Sequence, residues 1–200
     1  MPRNLIGVGL MFAAVASALA PGIAAANGDG TGEVDARMQE SRELTREFQQ
    51  RLKTELEAAI AQGGPVGAIA VCRERAPRIA AELSAASGAS ISRTALRVRN
   101  PANAPQPWQR EAMERFEQRM AAGEPADRLE LFETPDGQGA RYMKAIPTGP
   151  LCLTCHGSHL AADVQSALRE MYPQDAATGF AAGDLRGAFS VVWPAEGEAP

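Results

Sequence analysis

Hydrophobic residues in the first third of the chain recur mostly four positions apart, the spacing typical of an amphipathic helix. We predict a long helix over 34–62 that ends at Gly63-Gly64-Pro65, and a second helix from Pro65 that Pro77 kinks or divides. Cys72 falls on the apolar face of the second helix and is predicted to point inward. The apolar positions of the first helix are Met38, Leu44, Phe48, Leu52, Leu56 and Ile60.

The rest of the chain mixes strand and helix patterns without a regular βαβ rhythm. The predicted fold class is therefore α+β, with an antiparallel sheet and flanking helices behind the long N-terminal helix. Predicted strands cover 90–99, 128–134, 140–146 and 188–193, and predicted helices cover 108–122 and 160–171. The glycine-containing segment 135–139 joins the second and third strands as a hairpin turn.

The N-terminus has the layout of a secretory signal peptide. Arg3 precedes an apolar run over 5–20, and Ala24-Ala25-Ala26 supplies small residues for cleavage. Pro21 and Gly22 leave that run too short to span a bilayer. We predict a signal peptide over 1–26, a flexible N-terminus over 27–33 and one domain over 34–195, in a soluble protein exported to the periplasm.

Composition narrows the possible partners and roles. The formal net charge is −4, which argues against nucleic acid. A chain of 200 residues buries enough surface to fold without a metal or a disulfide. Its three cysteines therefore require a chemical explanation.

Cys152-Leu153-Thr154-Cys155-His156 is a C-x-x-C-H motif, the attachment pattern of c-type haem. Two intervening residues let one turn of chain reach both vinyl groups of the porphyrin, and the adjacent imidazole then comes beneath the iron. Export agrees with this prediction, because c-type haem is attached outside the cytoplasm. We predict one haem c bound covalently by Cys152 and Cys155, with His156 as an iron ligand.

Other uses of the motif are less consistent with the sequence. A Cys152–Cys155 disulfide or a thioredoxin-like redox pair does not need His156, and we predict no helix opening at the motif after a central strand. A zinc site would have to combine Cys152 and Cys155 with His159 and Cys72.

The residues alone leave open what lies on the far side of the iron. His159 is tethered close to His156, and the methionines fit core positions. Cys72 is an inward cysteine outside the motif, and the neighbouring charges of Arg73 and Arg75 favour a thiolate. A buried cysteine is also commonly a small apolar core residue, and both alternatives stand.

Several separated segments resemble the monohaem c-type domain family first described in cyanobacteria, which has a PAS-like fold. The resemblance extends from about Met38 to Trp193. The segments that carry it are Ala68–Pro77, Arg97–Pro105, Cys152–Gly157, Tyr172–Phe180 and Gly183–Ala188.

The resemblance implies a PAS-like sheet around one haem c, with His156 and Cys72 as the two axial iron ligands. It also implies a redox sensor or a sensor of a diatomic gas such as CO or NO. Because no output domain follows in this sequence, we expect a separate redox or signalling partner. Arg97 and Arg99, on one face of the predicted strand, are candidate haem propionate contacts, with Arg186 and Tyr142 as further candidates.

Three other roles compete with sensing. Plain electron transfer would keep both axial ligands in both redox states. An enzyme would need an open iron position and distal acid and base groups, and His159 is the one remaining histidine, so we expect no enzymatic activity. In a binding module the haem would only stabilise the fold, and a chain of this length does not need that stabilisation. The apolar stripe of the N-terminal helix makes a homodimer plausible.

Overall fold

A computed structural model describes residues 1–2, 30–195 and 197. The predicted signal peptide and most of the predicted flexible segment, at 3–29, lie outside the described residues. Within the described ranges, no helix is both long enough and apolar enough to cross a membrane.

The observed elements confirm the α+β class, the antiparallel sheet and the long N-terminal helix. The helices are α1 (Gly30–Ala70), α2 (Ala76–Ser87), α3 (Pro107–Ala121), α4 (Pro150–His156) and α5 (Ala162–Met171). The strands are β1 (Ser90–Thr94), β2 (Glu130–Glu133), β3 (Arg141–Pro147) and β4 (Leu185–Val192). Short 3₁₀ turns cover Pro101–Asn103 and Ala126–Arg128.

The first helical region differs from the prediction at both ends. It begins at Gly30 rather than residue 34, and Gly64 kinks it, at φ 67° and ψ −174°, instead of ending it. A π-helix, Val71–Arg75, then separates α1 from α2. Pro77 lies in the first turn of α2, directly after the π-helix. The predicted division near Pro77 is therefore confirmed, and the π-helix achieves it.

The sheet has the strand order β1-β4-β3-β2, and all neighbouring strands are antiparallel. β1 pairs with β4 from Ser90 to Thr94 only, so the prediction of a strand to residue 99 is wrong. The chain beyond Thr94 contacts the 175–178 loop instead, where the N–H of Ala176 donates to the carbonyl of Val98 at 2.9 Å. An alternating pattern forms a strand only where a neighbouring strand is present to bond it.

Helices cover both faces of the sheet. Tyr142, Phe189 and Val191 pack with Phe48 of α1 and Ile79 of α2. The alternate residues of β3 and β4 pack on α3 across the opposite face; they include Met143, Ala145 and Ala188. Smaller contacts join α5 to the C-terminal end of α1. The π-helix therefore lies at the edge of the α1–α2 layer, towards α5.

Candidate functional site

The C-x-x-C-H motif forms the short helix α4, which follows the central strand β3 after two residues. The expectation that no helix opens at the motif is therefore wrong. Pro150 occupies the first turn of α4, and the N–H of Gly157 ends it by donating to the Leu153 carbonyl at 3.0 Å. One helical turn brings residues three apart to the same side, so α4 presents Cys152 and Cys155 together.

Both motif thiols are half-buried. Burial raises the pKa of the Cys155 thiol, while the charge of Arg99 acts in the opposite direction. Charges on Cys72 and Cys152 raise it further, which places both of these thiols within electrostatic range of Cys155. A raised pKa favours the protonated thiol at neutral pH.

His156 is held in one orientation by the loop before β4. Its Nδ1 lies 2.6 Å from the Ala177 carbonyl, so Nδ1 carries the proton and donates it to that oxygen. The ring meets Phe180 edge-on, with the ring centroids 6.3 Å apart. Burial lowers the pKa of His156 to about 2, and the charges of Arg186 and Arg99 add to this effect. The imidazole is therefore neutral, and its Nε2 keeps the lone pair that a metal ligand needs.

Arg99 joins the motif to the same loop. Its Nε donates to Asp175 Oδ2 at 3.0 Å, and its Nη2 donates to the carbonyls of Cys155, at 2.5 Å, and Ala177, at 3.3 Å. Its side chain is only 8% exposed. Arg99 thus positions the carbonyl that accepts the His156 hydrogen bond, and two of its three nitrogens already have partners.

Arg97 is exposed, with its guanidinium 3.7 Å from the Phe180 ring centroid and its Nη1 donating to the Thr178 carbonyl at 3.0 Å. Since β1 ends at Thr94, Arg97 and Arg99 do not share a strand face. Their propionate contacts stay a prediction. Tyr142 is buried in the α1–α2 layer and donates its hydroxyl to Glu130 Oε2 at 2.9 Å.

Cys72 is half-buried in the π-helix, 80 residues before Cys152 in the chain. The chain just before the π-helix and the motif helix α4 contact the same hydrophobic cluster. Ile69 of α1 and Cys155 of α4 pack there with Val164 and Leu168 of α5. Tertiary packing therefore brings the cysteine outside the motif to the motif.

The charges near Cys72 differ from those expected from its sequence neighbours. Arg75 is paired with Glu55, its Nη2 lying 2.5 Å from Oε1, and Arg73 is exposed. The arginine that acts electrostatically on Cys72 is Arg93 of β1, with Arg186 of β4 also close. Sequence reasoning missed Arg93, because its only local signal is a charge in a predicted strand.

Of the other candidate ligands, Met171 of α5 packs in the same hydrophobic cluster as Cys155, and the rest lie elsewhere. His159 is exposed and contacts Ser158, and Met113 and Met143 are fully buried in the layer under α3. In the described part of the chain, no group of three or more His, Cys, Asp or Glu side chains is arranged to hold a metal ion. The zinc alternative therefore lacks support from the geometry.

The donor set fits a c-type haem. Two thiols lie on one helical turn, an adjacent imidazole has a free Nε2, and a third thiol comes from a separate element. Cys152 and Cys155 would hold the porphyrin edge, and His156 and Cys72 are the side chains available to the iron.

Comparisons with known proteins place the chain in a haem-protein family. The model of the Tll0287-like family matches residues 30–194. The crystal structure of the cyanobacterial haem protein Tll0287 is 26% identical, with a TM-score of 0.61, and the alignment covers 88% of this chain and 99% of that one. No curated protein sequence matches the chain. Because the family model matches most of its length, the chain belongs to the Tll0287-like family.

Proposed function

We propose that this protein is exported to the periplasm, carries one covalently attached haem c, and senses redox state or a diatomic gas such as CO or NO. The observation that carries the proposal is the placement of Cys72, on the π-helix, within electrostatic range of Cys155 in α4, the helix that also carries Cys152 and His156. The similarity to the haem protein Tll0287 supports the haem. We propose that the protein has no enzymatic activity.

The chain supplies each part of the attachment. The thiols of Cys152 and Cys155 each add across a vinyl double bond, so that the sulfur bonds to one vinyl carbon and the hydrogen goes to the other. Nε2 of His156 would be available to hold the iron, because Nδ1 is engaged in its hydrogen bond to the Ala177 carbonyl. The iron, when bound, supplies a one-electron redox centre.

Cys72 is the switchable ligand in this proposal. Its thiolate would hold ferric iron more strongly than ferrous iron, and a proton taken up by the sulfur would allow its release after reduction. The π-helix Val71–Arg75 that carries Cys72 has a rarer hydrogen-bond pattern than the α-helices beside it, and such turns are frequent at functional sites. His156 differs from Cys72, because the Ala177 carbonyl, itself bound by Arg99, holds the imidazole in place. Release of Cys72 would open one iron position to CO or NO.

Electron transfer without ligand exchange is the second candidate. The half-buried residues of α4 favour it, because they would leave the attached edge of the haem near the surface, where a redox partner can dock transiently. In either case we propose a separate protein partner. A homodimer through α1 is also proposed, although Phe48 and Leu52 of its apolar stripe are buried in the core of the same chain.

Optical and EPR spectra of the oxidised and reduced protein test the proposal, with Cys72→Ala as the variant and CO added to the reduced forms. We expect a thiolate-type low-spin ferric signal that Cys72→Ala removes, and CO binding by the wild type after reduction. The covalent haem mass should be the same in both proteins, because Cys152 and Cys155 remain. Identical spectra without CO binding would reject the sensor in favour of electron transfer.

A further inference from the structure

Arg93 of β1 and Arg186 of β4 carry two half-buried guanidiniums. Arg186 is a further propionate candidate from the sequence, and Arg93 has no role in the functions above. Arg93 lies 5.6 Å from the ring centroid of Phe48, and Arg186 lies 5.3 Å from that of Phe180. Within the described residues, neither guanidinium has a carboxylate or carbonyl partner. Arg186 lies over Phe180, the ring that meets His156 edge-on, and Arg93 lies on β1, the strand paired with β4.

The other half-buried or buried arginines of the described chain each have an oxygen partner. Arg141 bonds to the side-chain amide of Gln138. The remainder form ion pairs, which are Arg37–Glu33, Arg42–Glu130, Arg51–Glu82, Arg75–Glu55 and Arg99–Asp175. An unpaired buried charge is costly, because it loses water without gaining a partner. Burial lowers the pKa of Arg93, and it lowers the pKa of Arg186 to about 10. Such a cost is offset when a bound anion supplies the missing charge.

The number and kind of charges identify that anion. Two guanidiniums next to each other suit two carboxylates, and the planar guanidinium binds a carboxylate through two parallel hydrogen bonds. A haem carries two propionates on the edge opposite its vinyl groups, and the vinyl side is assigned to Cys152 and Cys155. Aromatic contacts to Phe48 and Phe180 keep both guanidiniums close to the sheet without using their N–H donors.

We propose that Arg93 and Arg186 bind the two haem propionates and thereby hold the edge of the haem opposite its thioether bonds. This inference rests on the proposed haem. It replaces Arg97 and Arg99 as the main propionate contacts, because Arg97 lies on the surface and Arg99 is engaged by Asp175 and two carbonyls. The two arginines are positioning residues for the haem.

The test compares Arg93→Gln, Arg186→Gln and the double variant with wild type, each with and without attached haem. Arg97→Gln is the matched control. Without haem, removal of an unpaired buried charge should leave the melting temperature unchanged or raise it. With haem, each substitution leaves a propionate unpaired and should lower the melting temperature by roughly 3–8 °C. Arg→Lys at either position should restore part of the loss.

A purely structural role predicts a different pattern, because loss of the contacts with Phe48 and Phe180 would destabilise both forms equally. That result overturns the proposal. If the haem-free chain does not unfold cooperatively, resonance Raman spectra of the haem-loaded proteins test the proposal instead. The propionate bending modes should shift in Arg93→Gln and Arg186→Gln but not in Arg97→Gln. Unshifted modes also overturn it.

Two further measurements separate this proposal from related ones. The mass of the wild-type protein reports covalent haem, so a missing haem mass rejects the proposed function, whereas a present haem with unshifted propionate modes rejects the inference alone. Loss of the thiolate EPR signal in Arg93→Gln, with propionate modes unchanged, would show that Arg93 serves Cys72 and would overturn its assignment to a propionate.

Discussion

Replacing Arg99 with methionine should cause a large loss of stability, because the Arg99–Asp175 ion pair is buried. The side chains of Arg99 and Asp175 are 8% and 10% exposed. Arg99→Met leaves the Asp175 carboxylate without its counter-charge, and it leaves the carbonyls of Cys155 and Ala177 without a donor. Breaking a buried pair from one side costs about 3–5 kcal/mol. For a domain of this size, that corresponds to a fall in melting temperature of roughly 6–20 °C.

Urea unfolding at neutral pH measures this loss, with Arg115→Met as the control. Arg115 pairs with Glu133 at 3.1 Å, but its side chain is 45% exposed, so its loss should cost about 0–1 kcal/mol. Adding Asp175→Asn to Arg99→Met removes the unpaired charge and should recover part of the stability. The reasoning is refuted if Arg99→Met costs no more than Arg115→Met, or if the second substitution recovers nothing.

Two further predictions concern the motif helix and the pH dependence of stability. Gly157→Ala should reduce the yield of attached haem, measured as the fraction of protein with the covalent haem mass, because a Cβ there would lie 2.7 Å from the Leu153 carbonyl oxygen. Gly149→Ala is the control and should not change that yield, because a Cβ there meets nothing within 4 Å. The hydrogen bond from Arg42 is the chief cause of the lowered pKa of Glu130. The contribution of Glu130 to the free energy of unfolding is therefore present above its unfolded pKa of about 4.3, and it is lost as the pH falls through the folded pKa. Glu130→Gln should therefore weaken the fall in the free energy of unfolding between pH 5 and 3, and an unchanged pH profile would contradict this assignment.

The site shows how far local sequence information reaches. The C-x-x-C-H motif predicts Cys152, Cys155 and His156 as the attachment site, because the proposed attachment chemistry requires neighbouring residues. The hydrogen bond from His156 to Ala177 and the links through Arg99 depend on a loop 20 residues further along, which no local spacing predicts. Arg93 was missed for the same reason: its role depends on what β1 faces.

The differences between the predicted and the observed elements have a related origin. The predicted strand over 90–99 follows its alternating pattern, but only Ser90–Thr94 finds a partner in β4. The expected helix end at Gly63-Gly64-Pro65 is a kink, because the helical segment after Gly64 packs on α5 through Val66 and Ile69. Packing of this kind overrides local helix-ending signals.

The sequence by itself determined the α+β class and most element positions, and it predicted the chemistry of the motif, because periodicity and short-range spacing depend on residues a few positions apart. Only the tertiary structure decided which distant side chains share a site. It brought Cys72 to the motif across 80 residues, paired Arg75 and Arg99 with carboxylates, and left Arg93 and Arg186 without partners among the described residues. Those outcomes depend on burial and on the pairing of charges between elements, which arise only when the sheet and its helices pack together.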